Sequence, residues 1–285
     1  MSFLFRVLST LSLPWLHRIG ALLGLAAYYF SSGYREHLRT NIRLAMGANG
    51  EKIIAAVARE SGKQMVEMAR IWLRPLEQIS KVVVSVEGWE HVKAARQEGH
   101  GVLYLTPHIG CFEIVGPYLA QTSPLTCLYR PPKNKGLQTL IRQGRERGQM
   151  KLAPADLSGV RALVKALKKG EDVALLPDQA PKTGEGVWLD FFGRPAYTMT
   201  LAARLSETKA TTLLTWGERL PHGKGYRLHF SPLSIPLSGD TLERAAHINR
   251  EIEQLILACP TQYLWGYNRY KRPAGAEPPP QKAAA

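Results

Sequence analysis

The chain has 285 residues, 45% hydrophobic and 21% charged, enough for one large domain with a smaller appendage. A formal net charge of +14 points to acidic partners: nucleic acid, anionic lipid or an acidic protein. Three cysteines (Cys111, Cys127, Cys259) with no CxxC spacing argue against a disulfide framework or a zinc site and fit a reducing compartment.

Residues 1–80 read as helical. Two apolar runs between Phe3 and Phe30 are split by His17-Arg18. As a helix, Ile19 to Phe30 reaches roughly 18 Å, short of the ~30 Å hydrocarbon core. A span from Leu11 to Phe30 is long enough, but it buries Arg18 near mid-bilayer and puts Pro14 inside the helix. The reading is therefore a helix that dips into or lies on a leaflet, with a single span and a buried core helix as alternatives. Arg35, Arg39 and Arg43 follow at once, as a surface facing anionic headgroups requires. Glu51 to Leu73 repeats apolar residues at helical spacing and stops at Arg74-Pro75.

From Val82 the pattern becomes short β-rich runs alternating with helices. Strands are expected at 82–86, 102–105, 125–129, 173–176, 211–216 and 226–230, and helices at 111–121, 134–147, 156–169, 198–208 and 241–258. Asp156 opens one helix and Gly170 ends it, while Asp240-Thr241-Leu242-Glu243 resembles a capping box. This alternation predicts an α/β fold, a central mixed β-sheet flanked by helices. The Ala/Pro-rich stretch 273–285 reads as a disordered tail.

Three stretches carry chemistry. In the first, a β-rich run ends at Thr106-Pro107, His108 follows, and Glu113 comes five positions later in an apolar helix. On one continuous helix such residues lie about 140° apart, so they meet only if His108 folds back from a turn. That arrangement suits a general base oriented by a carboxylate. The plain alternative is a surface histidine with Glu113 complementing the helix dipole. In the second, Arg130 closes a strand at the same sheet edge, placed to stabilise an oxyanion or hold a phosphate, and Lys133, Lys135, Arg142, Arg145, Arg147 and Lys151 follow. In the third, Asp178 ends another strand at this edge, before Gln179, a loop with Gly184 and Gly186, and then Phe191-Phe192, which could line an acyl pocket or belong to the core. There is no GxSxG, HExxH or GxGxxG pattern.

In this order the motifs resemble the late acyltransferases of lipid A biosynthesis (the lauroyl/myristoyl acyltransferase family), within the lysophospholipid acyltransferase-like superfamily. The resemblance rests on His108-x4-Glu113 and on Tyr129-Arg130-Pro131 with Gly144-Arg145. It rests also on Pro177-Asp178-Gln179, Gly186-Val187, Phe191-Phe192-Gly193, Ala196 and Thr198, and on Gln262-Tyr263-Leu264-Trp265 with Arg269, Lys271 and Arg272. Tyr267-Asn268 departs from the more basic pattern of many members.

The resemblance implies a glycerolipid acyltransferase-like domain over 81–272, preceded by a membrane-associated helical region over 1–80. It implies acyl transfer from acyl carrier protein to a hydroxyl of a phosphorylated lipid A precursor. The site would be at the cytoplasmic face of a bacterial inner membrane, with no metal and no cofactor beyond the thioester co-substrate. In that reading His108 is the base, Glu113 holds its imidazole and Arg130 stabilises the oxyanion or a substrate phosphate. Arg145, Asp178, Gln179, Gly186, Phe191 and Phe192 contact substrate. Another lipid acceptor (lysophospholipid, ornithine lipid or glycolipid) and a non-catalytic lipid-binding protein remain the alternatives. Nucleic-acid binding has only net charge behind it, without a fold signature.

Overall fold

A computed structural model describes residues 2–132 and 134–280 of the chain; Met1, Lys133 and the tail end, 281–285, lie outside the described residues. The strands are β1 Val83–Glu87, β2 Val102–Leu105, β3 Leu125–Tyr129, β4 Met150–Pro154, β5 Asp172–Leu175, β6 Gly186–Phe191, β7 Arg194–Met199, β8 Thr211–Arg219 and β9 Tyr226–Pro232. The helices are α1 Ser2–Thr10, α2 Leu13–Phe30, α3 Ser32–Met46, α4 Ile54–Leu73, α5 Leu76–Ser80, α6 Trp89–Gln97, α7 Phe112–Leu119, α8 Lys135–Arg145, α9 Leu157–Lys168, α10 Leu201–Ser206 and α11 Thr241–Ala258.

Seven strands form one mixed sheet in the order β1-β9-β8-β2-β5-β3-β4, with β8–β9 as its antiparallel pair. The fully buried run Val102-Leu103-Tyr104-Leu105 shows why both faces are covered. Leu103 and Leu105 enter a core with α9, α10 and α11, whereas Val102 and Tyr104 enter one with α4, α6 and α7. The ends of β2, β5, β3 and β4 share one edge, because these four neighbours run parallel. Asp156 caps α9 through Ser158 N and Gly159 N, and Asp240 with Glu243 forms the capping box of α11.

Four elements were absent from the sequence expectations: α6, edge strand β4 and the two strands of the hairpin β6–β7. The hairpin turns on Phe192 (φ 48°) and Gly193 (φ 69°), two consecutive left-handed residues as a tight hairpin twist requires. An aromatic residue is costly there. Phe192 N–H donates to Glu253 Oε1 at 2.7 Å, and its ring packs on Phe191 and Trp265.

At the N-terminus the helix breaks at Leu11-Ser12, and Pro14 sits in the first turn of α2, where its missing N–H costs nothing. No helix among the described residues is long and apolar enough to cross a membrane. α2 packs backbone to backbone on α4. A Cβ on Gly24 would lie 1.9 Å from Ala58 O, and one on Gly62 would lie 2.0 Å from Gly20 O. The opposite face of α2 leaves Trp15, Leu22, Leu23, Tyr29 and Phe30 exposed at sevenfold spacing. The stretch 273–280, expected to be disordered, lies along the hairpin: Thr183 Oγ1 donates to Ala274 O at 2.6 Å and Trp188 Nε1 to Glu277 O at 2.9 Å.

Candidate active site

β2 and β5 pair in parallel with Leu105 opposite Leu175. Each strand then leaves the sheet through the same short step, Thr106-Pro107-His108 and Leu176-Pro177-Asp178. Equal offsets from a matched register bring His108 and Asp178 side by side. His108 Nδ1 lies 2.8 Å from Asp178 Oδ1, and His108 N–H donates to Asp178 Oδ2 at 3.0 Å. Both carboxylate oxygens thus hold one residue. Burial pushes the Asp178 carboxyl upward, but His108 and its hydrogen bonds outweigh this and hold it below the usual carboxylate range. An ionised Asp178 keeps the proton on Nδ1 and leaves the Nε2 lone pair free for a base. Gln179 Nε2 lies 3.2 Å from that nitrogen, and the ring of Phe112 packs with its centroid 4.7 Å from the imidazole.

The expected His108–Glu113 contact is not made. The intervening turn is pinned in place: Ile109 bridges Tyr263, Gly110 N–H donates to Gln262 O at 3.0 Å, and Cys111 N–H donates to Gly217 O at 2.7 Å. It holds His108 beside Asp178 and Phe112, with no hydrogen bond to Glu113. Glu113, in the first turn of α7, points instead toward α4 and α8. It accepts from Trp72 Nε1 at 2.9 Å and from Arg145 Nε at 3.1 Å, and Arg145 Nη2 makes a second, close ion pair. Burial raises the Glu113 carboxyl, yet the Arg145 charge and hydrogen bond prevail and hold it low.

The other expected site residues separate likewise. Arg145 is spent on Glu113 and stacks over Tyr129, so the structure gives it a structural partner where substrate was expected. Arg130 is exposed and bonds Glu185 at 3.3 Å. Phe191 is buried in the core beneath Arg269, and Phe192 forms the hairpin turn, so neither borders His108. A Cβ on Gly186 would lie 2.5 Å from Thr198 O, so close strand packing accounts for that glycine. Two surface clefts of ≈ 220 and ≈ 380 Å³ lie against the tail and against α3, and neither is lined by His108.

Sequence reasoning did not foresee the buttress behind the base. Leu264 N–H donates to His108 O at 3.1 Å, and Tyr263 is buried beside Asp178. Gln262 clamps Arg219 by two bonds of 2.9 Å. Arg219 in turn is buried in ion pairs with Glu67 and Glu60 of α4. The Gln262-Tyr263-Leu264-Trp265 motif was visible, but its partners in the His108 turn lie 152 to 156 residues away in the chain.

A family model described as bacterial lipid A biosynthesis acyltransferase matches residues 1–272. The chain belongs to this family. It is 30% identical over 271 residues to the lipid A biosynthesis palmitoleoyltransferase of Escherichia coli K12, covering 92% of this chain and 87% of the relative. To the lipid A biosynthesis lauroyltransferase of the same organism it is 28% identical with the same coverage. To the phosphatidylinositol mannoside acyltransferase of Mycobacterium tuberculosis H37Rv it is 26% identical, over 84% of this chain and 78% of the relative. This acyltransferase therefore works in lipid A biosynthesis, with a glycolipid as its acceptor class.

Proposed function

We propose that this acyltransferase moves a fatty acyl chain from the thioester of acyl carrier protein to a hydroxyl of a phosphorylated lipid A precursor, at the cytoplasmic face of a bacterial inner membrane. One observation carries the chemistry: His108 is fixed through Nδ1 by a buried carboxylate, leaving Nε2 as the proton acceptor. The acceptor hydroxyl gives its proton to Nε2 as its oxygen bonds to the thioester carbonyl carbon. The carbonyl π pair moves onto oxygen, then returns as the C–S bond breaks, and the thiolate leaves with the proton from Nε2. No covalent enzyme intermediate is needed.

Membrane docking has its own support. Phe3, Leu4 and Val7 of α1 and Trp15, Leu22, Leu23 and Phe30 of α2 are exposed. Arg18 lies over the Trp15 ring at 4.9 Å. Large apolar residues with a basic neighbour on a surface helix suit the headgroup boundary. The net charge of +14 suits two acidic ligands, carrier protein and phosphorylated headgroup. The mannoside acyltransferase among the relatives favours a second acceptor, another phosphorylated glycolipid.

The test is transfer in detergent, with a panel of acyl carrier protein thioesters and both acceptors, beside His108→Ala. Product formed by the wild type and reduced at least about 10²-fold by His108→Ala is the expected result. Folded wild-type protein that uses no donor with either acceptor overturns the reading.

A further inference from the structure

We propose that Gln179 is the oxyanion donor of this reaction: its side-chain amide caps the base at rest and turns to the thioester oxygen when the alcohol arrives. The inference rests on the acyl-transfer reading above. With Nδ1 protonated against Asp178, Nε2 is an acceptor, so at 3.2 Å the Gln179 amide donates to it. That places an N–H where the reacting alcohol must sit. The alcohol displaces the amide from Nε2 and donates there in its stead. Rotation about the Gln179 side-chain bonds then brings the displaced donor to about 3 Å from the oxygen that gains charge.

The neighbouring residues fix the backbone from which this side chain swings. Asp178 is buried against His108, and Ala180 N–H donates to Tyr267 Oη at 3.1 Å. Gln179 itself is half-buried between them.

The side-chain cations nearby and four backbone donors of the His108 turn are already engaged. The N–H of His108 is bonded to Asp178, that of Ile109 to Pro107 O, that of Gly110 to Gln262 O and that of Cys111 to Gly217 O. Arg145 is held by Glu113, and Arg130 is exposed against Glu185. A negative oxygen forming in a site without a donor would be strongly disfavoured, and one side-chain donor typically contributes about 10²–10³ in rate.

Three substitutions test the role. Gln179→Glu keeps the shape without the N–H groups, Gln179→Leu removes all polarity, and Gln179→Asn keeps a shorter amide. For Glu and Leu the expected result is a kcat lower by about 10²–10³-fold. KM for thioester and acceptor should stay within about threefold and the melting temperature unchanged. Asn should recover part of the loss. Nitrogen-15 spectra of the imidazole supply a readout independent of turnover: Gln179→Leu should move the His108 Nε2 resonance and leave Nδ1 in place. Wild-type kcat in Gln179→Leu, a raised KM with kcat kept, or an unmoved Nε2 resonance each overturns the proposal while leaving the acyltransferase reading intact. A wild type without turnover overturns both.

Discussion

His108 and Asp178 form a pair because two adjacent parallel strands end in register and leave the sheet by the same X-Pro-X step. Both residues, and their place at the strand-end edge, were legible in the sequence. Their partnership was not, because it depends on which strands are neighbours, and β2 and β5 are 70 residues apart at their matched ends (Leu105 to Leu175). Proximity in sequence favoured Glu113, yet that carboxylate anchors Arg145 and Trp72 beneath the turn. Glu113→Leu should therefore act mainly on stability. It strands Arg145, whose side chain is 24% exposed, at a cost of about 3 kcal/mol. Adding Arg145→Leu should restore much of that. Urea unfolding of the two variants checks this; a single variant as stable as the wild type would contradict the anchoring role.

At the scale of elements, runs with strong periodicity or capping chemistry were readable, and α9 and α11 begin at their expected caps. β4 was hidden by Lys151 and Pro154, residues an edge strand tolerates. The hairpin was hidden because an aromatic residue occupies a left-handed turn position, held there by Glu253 and Trp265, both distant in sequence. Tertiary contacts likewise join α4 to the sheet. Burial raises Glu67, but the Arg219 charge and hydrogen bond dominate and bring its carboxyl down from 4.5 to about 2. A depressed carboxyl stabilises the fold fully above its unfolded value and loses that contribution as pH falls through the folded one. The window is thus about pH 4.5 down to 2, with about 3 kcal/mol at stake. Urea midpoints should fall across this window in the wild type and fall less steeply in Glu67→Gln; equal slopes would show that Glu67 carries no such linkage.

Across the whole molecule, one side of α2 is committed to α4 through glycine contacts and the other is apolar and open to solvent. His17 of α2 lies 3.3 Å from Glu67 within the same buried network that holds Arg219 and, through it, Gln262. The apolar helix is thus built into the catalytic domain, which the run lengths alone left open. Leu22→Lys with Phe30→Lys should release the protein from vesicles containing anionic lipid while its melting temperature stays near wild type, since both side chains are exposed. Flotation that is unchanged would remove this face from the docking account.

Asp178 makes His108 a base by fixing its tautomer and orientation. The most direct measurement is kcat for acyl transfer by Asp178→Asn beside the wild type, with the melting temperature of both. The expected result is a fall of about 10²–10⁴-fold at an unchanged melting temperature, because the isosteric amide no longer imposes the Nδ1–H tautomer. A kcat within about threefold of wild type would contradict it.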